Sequence, residues 1–313
     1  MFASEVKLFG NHPKFVKALE FAKNVAVTKA PVLVVGESGT GKKTFCNFIH
    51  QKSARGSEKI LVVNCSEDAQ KVENAILGYR DEETGRFNKG VLEEANGGSI
   101  ILQNIDALDE KFQKRLYQIL QELTDYDLDV RVLATTSKNL SKYVGAGRFY
   151  RALYTYFSGS QINLIPLRER GNDIEAMALE FANTWADENN QNRVNFTSEA
   201  IDKISTFYWA HNVTELKNVI EASMANVQNG EIDINAIELG EKKAEAQTHE
   251  IDDDGIRLMS LKEAERLLIR KALIHTSENR TQAAKILGVS IRTLRNKINE
   301  YRTDGNNFFL NLR

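Results

Sequence analysis

Cysteine is scarce, with two residues in 313, Cys46 and Cys65. Both lie in apolar surroundings without CxxC or histidine-rich spacing, which argues against a zinc site or a disulfide framework and fits a reducing cytosol. The five histidines also lack metal-ligand spacing. Runs of roughly 18–20 apolar residues, the length of a membrane span, are missing, and the opening stretch MFASEVKLFGNHPKF holds no long apolar run. A soluble, cytoplasmic protein with no membrane partner is expected. Charge of one sign is not in excess either: 41 Lys and Arg against 43 Asp and Glu leave a formal net of −2. No global attraction to nucleic acid or membrane follows, so charge must be read segment by segment. Internal repeats are absent as well.

At this length the expectation is two domains, or one large domain with an appendage. VLVV at 32–35, ILVVN at 60–64, SIIL at 99–102 and VRVLATT at 130–136 are short β-branched runs without polar alternation, as in parallel strands covered on both faces. Helical stretches separate them, beginning with 14–29, which Pro31 ends, so residues 1–171 read as an α/β sandwich. From Asn172 to about Asn229 the pattern is wholly helical, giving a small α-domain over 172–239. Residues 240–259 lose apolar periodicity and gain charge, the mark of a linker. A last helical unit occupies 260–313, and within 261–302 ten Lys and Arg stand against four Glu. That local excess points to a polyanion.

VLVVGESGTGKKTF places a glycine-rich turn between a buried strand and a helix. Such a turn lets backbone N–H groups face inward, the helix N-terminus adds positive potential, and Lys42 reaches terminal phosphates. The candidate nucleotide-binding residues are Gly36, Glu37, Ser38, Gly39, Thr40, Gly41, Lys42, Lys43 and Thr44. At the other end, NRTQAAKILGVSIRTLRNKINEY at 279–301 reads as helix, tight turn at Gly288, and a second helix capped by Ser290. Leu294, Ile298 and Tyr301 form its buried stripe, so Arg292, Arg295, Asn296 and Asn299 face outward. Arginines there can reach guanine edges or phosphates, and amides can read adenine. Phe207, Tyr208 and Trp209 are expected in a core.

Several blocks in order carry a resemblance: GESGTGK, VNC at 63–65, LEEANGGSIIL at 92–102, LYQILQE at 116–122, DVRVLATT at 129–136, GRF at 147–149, PLRER at 166–170 and NVTELKNVIE at 212–221. Over nearly its whole length the chain resembles the NtrC-like activators that work with sigma-54. In layout it is similar to members made only of an AAA+ domain and a DNA-binding domain. The resemblance implies an AAA+ phosphate-loop domain with a parallel sheet, an α-helical lid, and a C-terminal all-α helix-turn-helix domain of Fis type. It implies double-stranded DNA as a partner, with Thr281 and Gln282 near the DNA backbone and Ser290, Arg292, Thr293, Arg295 and Lys297 at the groove. It also implies a homo-oligomer, from dimer to hexamer.

The departures from that pattern are equally specific. Family members end the second-motif strand in Asp-Glu, where this chain has Gln103 and Asn104; amides carry no charge and cannot serve as a base. The asparagine that partners the family's catalytic Glu remains as Asn64. Asp106 is an alternative acid, expected on the strand face of Asn104 but further along. The family's trans-acting arginines fall at Tyr150 and Tyr156, with Arg151 one place out of register. The lid's sensor arginine is Thr214, the sensor-one triplet ends in Thr136, and Lys43 stands where a phosphate loop has Ser or Thr. ILGYRDEETGRFNKGVLEEA at 76–95 holds a shorter, charged segment where the family has its GAFTGA loop, the element that pushes on sigma-54. The expectation is a DNA-binding regulator on a non-hydrolysing AAA+ scaffold, with no catalytic or metal-ligand set assigned. ATP, ADP and cyclic di-GMP are the candidate ligands, and Mg²⁺ is doubtful. Two alternatives stand beside it: an ATPase rewired through Asp106 and Arg151, and a subunit that joins and modulates the ring of an intact sigma-54 activator.

Overall fold

The computed structural model describes residues 6–81, 83–227, 230–240, 265, 268–269, 272–273, 276 and 279–303. The chain forms two compact units, Met1–Ala244 and Glu245–Arg313. Apart from residue 240, the predicted linker lies outside the described residues.

In the first unit, α1 (Pro13–Ala26) starts with proline, whose fixed φ suits a first helical turn, and buries Phe15, Ala22, Val25 and Ala26. Its last carbonyls are not left orphaned. The buried Arg131 guanidinium donates to Val25 O at 2.7 Å, Ala26 O at 3.0 Å and Ala30 O at 3.2 Å, capping the helix from a neighbouring strand. Then follow β1 (Val32–Val35), α2 (Lys42–Gln51), β2 (Ile60–Asn64) and α3 (Ala69–Leu77), the last capped by Asp68. A hairpin of β3 (Gly78–Arg80) and β4 (Phe87–Lys89) leads to the short α4 (Val91–Glu94). After it come β5 (Ser99–Gln103), α5 (Glu110–Gln121), β6 (Arg131–Thr136), α6 (Leu140–Gly145), α7 (Arg151–Ser158) and β7 (Gln161–Asn163).

The main sheet has five strands in the order β2-β5-β6-β1-β7, all parallel. Four of them are the β-branched runs of the sequence. The fifth, β7, has only Ile162 buried, too short a pattern to read alone. Alternate residues feed opposite faces: Val32 and Val34 pack with α1 and α2, while Leu33 joins the core under α3, α5 and α7. Both faces are covered, as parallel strands without polar alternation require.

Within the charged segment at 76–95, residues 78–89 form an antiparallel hairpin, a form the charge pattern did not announce. Its turn is closed by Asp81, whose Oδ1 accepts from Thr84 N at 2.7 Å, Thr84 Oγ1 at 2.8 Å and Glu83 N at 3.1 Å. Those bonds hold the Asp81 carboxyl below its usual range. Tyr79 and Phe87 are exposed on the hairpin.

The region after β7 is α8 (Gly171–Glu188), β8 (Asn195–Phe196), α9 (Ser198–Ser205), α10 (Asn212–Ser223) and β9 (Glu231–Ile232). The expectation of a wholly helical segment is corrected here: β8, between α8 and α9, pairs in parallel with β9 after α10. Trp209 is fully buried at its centre, donates Nε1–H to Ile204 O at 2.8 Å and meets Phe207 edge-on at 4.9 Å. Tyr208 departs from the core expectation and is 44% exposed. The junction with the sheet is a buried ion pair, Arg170 Nε to Asp173 Oδ2 at 3.0 Å. Asp173 also accepts from Asn11 N at 2.7 Å, and Arg170 donates to Phe9 O at 2.6 Å, so the segment before α1 is tied to the start of α8.

In the second unit, α11 (Arg280–Ile286) is capped by Asn279 and α12 (Ile291–Thr303) follows a turn at Gly288, which has φ 68°. Leu294, Ile298 and Tyr301 pack on Ile269, Ala272, Leu273, Ala283 and Ala284.

Candidate nucleotide site and DNA-reading helix

The loop between β1 and α2 is held from outside through its carbonyls. Lys42 Nζ donates to Gly36 O at 2.6 Å and Glu37 O at 2.8 Å, Asn212 Nδ2 donates to Ser38 O at 2.8 Å, and Thr214 N donates to Gly39 O at 3.2 Å. At the far end Gly41, with φ 91°, precedes α2 with no side-chain cap, so the first-turn N–H groups have no side-chain acceptor. An uncapped helix start with a lysine beside it fits an anion such as a phosphate. Gly39 has φ 78°, and a Cβ there would sit 1.8 Å from His211 O, so only glycine lets the helical region close this tightly. The Thr40 hydroxyl is buried and donates to Glu37 O at 2.8 Å, whereas Lys43 and Thr44 are exposed on α2.

Two residues that the sequence reading left without a role shape this site. Arg168 binds Glu37 with both guanidinium nitrogens, at 2.5 and 2.6 Å, and lies over the Tyr208 ring at 5.4 Å. Asn212, fully buried with φ 52°, accepts from Leu167 N at 2.7 Å while its amide reaches the loop. Both lie inside blocks quoted above, PLRER and NVTELKNVIE, so their position was legible although their partners were not.

At the same C-terminal edge of the sheet as the loop, two strands away, β5 ends in half-buried Gln103, and half-buried Asn104 follows it. Asn104 Nδ2 donates to Asn64 Oδ1 at 3.1 Å, so Asn64 keeps a partner, as an amide pair rather than an amide with an acid. The expected position of Asp106 needs correction. Asn104 takes a left-handed conformation (φ 55°, ψ 51°) and a 3-10 turn over Ile105–Ala107 follows, so the strand stops before Asp106. The turn aims the Asp106 carboxylate at β6, where Oδ1 accepts from Thr136 Oγ1. Burial lowers the Lys42 ammonium from its usual range, and the charges of Asp106 and Glu37 oppose that shift.

At the positions of the trans-acting arginines, Tyr150 meets Tyr117 edge-on at 5.8 Å and Tyr156 meets Phe157 edge-on at 5.1 Å. Both are packed at the fringe of the core, and Arg151 is exposed at the start of α7. Cys46 and Cys65 are buried with their thiols pushed up to about 12, which leaves neither a nucleophile at neutral pH. Among the described residues no group of three or more His, Cys, Asp or Glu side chains could hold a metal by itself, and no helix is long and apolar enough to cross a membrane.

On α12 the Ser290 hydroxyl accepts from Thr293 N at 3.0 Å and bonds Thr293 Oγ1 at 2.8 Å, the capping geometry the sequence called for. Arg292, Thr293, Arg295 and Asn296 are exposed, as are Thr281 and Gln282 at the start of α11. The side chain of Asn299 lies outside the described set. Lys297 differs from its neighbours: it is half-buried and bound to Glu265 at 2.9 Å and Glu300 at 3.4 Å. Those carboxylates raise its ammonium above the usual range.

Comparison with known proteins gives three family matches along the chain: a sigma-54 interaction domain over residues 8–163, an AAA+ ATPase lid domain over 168–253, and a bacterial regulatory protein of the Fis family over 260–301. The transcriptional regulatory protein FlbD of Caulobacter vibrioides is 30% identical over 317 residues, covering 94% of this chain and 70% of its own. The transcriptional regulatory protein ZraR of Klebsiella oxytoca is 30% identical over 311 residues, covering 95% of this chain and 69% of its own. Among solved structures, NtrX from Brucella abortus in complex with ADP matches with a TM-score of 0.66 at 19% identity, over 95% of this chain and 69% of that one. That likeness establishes the fold, a parallel-sheet α/β AAA+ domain with a helical lid. With these matches in the order that the motifs have along the sequence, the chain belongs to the sigma-54-dependent family of transcriptional regulators, with a C-terminal Fis-type helix-turn-helix.

Proposed function

We propose that this regulator binds DNA selectively through 260–313 and carries a nucleotide on its AAA+ unit as a static ligand, without hydrolysing it. One observation carries the reading: an uncapped, lysine-bearing phosphate loop shares its sheet edge with a strand end whose acids are replaced by the amides of Gln103 and Asn104. The loop binds phosphate through backbone and Lys42, neither of which depends on those acids. Hydrolysis does depend on side chains. A general base contributes roughly 10²–10⁴ in rate and an arginine finger roughly 10³–10⁵, although these do not multiply independently. Here the base position is Asn104 and the finger positions are Tyr150 and Tyr156, both half-buried against the edge of the core.

The family relationship supports self-association, from dimer to hexamer, with two recognition helices meeting successive half-sites about one helical turn apart. The hairpin at 78–89 lacks GAFTGA, so this reading gives it no pushing stroke on sigma-54. Modulation of an intact activator's ring stays an alternative role for the same scaffold. NtrX was crystallised with ADP and with ATP, which favours an adenine nucleotide over cyclic di-GMP.

The test measures nucleotide binding and phosphate release on the same full-length preparation, with and without DNA. Binding of ATP or ADP that disappears in Lys42→Ala, with release no faster than in that variant at any assembling concentration, is the expected result. Turnover that Asp106→Ala abolishes would replace this reading with the rewired ATPase.

A further inference from the structure

We infer that Asp106 is the carboxylate through which this site holds a divalent cation against the phosphates of a bound nucleotide, taking the place of the acid absent at Gln103. The inference rests on the nucleotide-binding reading and deepens it, reversing the expectation that Mg²⁺ has little part.

The argument begins with how the chain reaches the loop. Had β5 continued, residue 106 would lie two positions beyond Asn104, about 6–7 Å further along the strand. The left-handed Asn104 and the turn at Ile105–Ala107 end the strand, and Ile105 is buried as an anchor. Asp106 is thereby bound to Thr136, the last residue of β6. Thr136 O in turn accepts from Gly36 N at 3.2 Å, and Gly36 O accepts from Lys42 Nζ at 2.6 Å. Asp106 and Lys42 are therefore tied to the loop's first residue from two sides.

The remaining groups narrow the role. Glu37, the other carboxylate that Lys42 senses, is clamped by Arg168. Gln103, Asn104 and Asn64 are neutral amides, and Asn104 and Asn64 satisfy each other. One oxygen of Asp106 is fixed by Thr136, and no hydrogen bond from the described residues reaches the other. A carboxylate beside a phosphate seat repels an anion unless a cation lies between them. Mg²⁺ needs little more, because it is held by one or two carboxylates together with phosphate oxygens and retained waters. This accounts for the lack of a preformed metal cluster among the described residues: the phosphates complete the site.

The experiment is calorimetry of the full-length protein with ATP and ADP, in Mg²⁺ and in EDTA, for the wild type, Asp106→Asn and Lys42→Ala, with operator binding as the folding control. Mg²⁺ should tighten ATP by ~10-fold or more in the wild type, and Asp106→Asn should reduce that gain to under ~2-fold while binding ADP in EDTA no more weakly than the wild type does. If Asp106→Asn fails the folding control, Thr136→Val is measured in its place, with the same loss of metal dependence expected. Lys42-dependent binding that is equally tight in Mg²⁺ and EDTA overturns the inference and leaves the nucleotide reading intact. ATP bound more tightly by Asp106→Asn in both buffers also overturns it, marking Asp106 as a wall against the terminal phosphate. Absence of binding under every condition removes the nucleotide reading and the inference together.

Discussion

The phosphate loop and the strand end at the same sheet edge treat their polar groups differently. In the loop, each carbonyl from Gly36 to Gly39 has a donor, and the proposed phosphate contacts are backbone amides and one lysine. At the end of β5 the groups are side chains: amides, Gln103 and Asn104, stand where the family has acids, and Asn104 is bonded to Asn64 on β2. Sequence change can remove a side-chain function without moving the chain, whereas a loop built on backbone keeps its geometry as long as its glycines and its outer partners remain. Under the proposed function, phosphate binding and phosphate chemistry are separable on this ground.

The largest way to break the contrast is to remove the support of the loop. Asp173→Asn leaves the Arg170 guanidinium buried without its countercharge, which should cost about 3–5 kcal/mol in denaturant unfolding. Because α10 reaches the loop from the region that α8 begins, nucleotide binding should weaken in the same variant. Lys42→Ala attacks the loop from inside. It should weaken ATP by about 2–5 kcal/mol, ~30-fold or more, with no matching change in melting temperature.

Away from the loop, Arg295→Ala tests whether α12 reads sequence. A loss of about 1–3 kcal/mol on the preferred operator and much less on random DNA is expected in a salt-controlled binding assay. Equal weakening on both would demote Arg295 to a phosphate contact. The strand end offers a smaller effect. Asn104→Glu alone should raise phosphate release by less than ~10-fold, because Tyr150 and Tyr156 still stand where trans-acting arginines are needed.

The smallest effect is on pH. His50 is buried, bonded through Nδ1 to Ser99 Oγ at 2.9 Å and through Nε2 to Glu58 O at 3.1 Å, and burial lowers it from the ordinary value of 6.5. The unfolded chain therefore takes up the proton first, so the stability of the neutral pair is complete above 6.5 and declines as pH falls toward the lower folded value. His50→Gln should flatten that slope of melting temperature against pH, and an unchanged slope would exclude His50 as its source.

Local pattern alone determined much of this protein. Four β-branched runs set four parallel strands, a glycine-rich turn set the loop, and the i, i+4, i+7 stripe of Leu294, Ile298 and Tyr301 set the buried face of α12. Each depends on periodicity or steric freedom within a few residues, which a sequence displays directly. Tertiary structure alone decided the contacts between distant segments. Arg168 meets Glu37 across 131 positions and Asn212 meets it across 175, linking blocks that the sequence presents separately. Asp106 illustrates the same limit over a short distance: strand spacing carried it away from the site, but one left-handed residue and a hydroxyl 30 positions later brought it back. Backbone reversal at a non-glycine residue has no local signature when its compensation comes from another strand, and so the direction of that carboxylate was settled by folding.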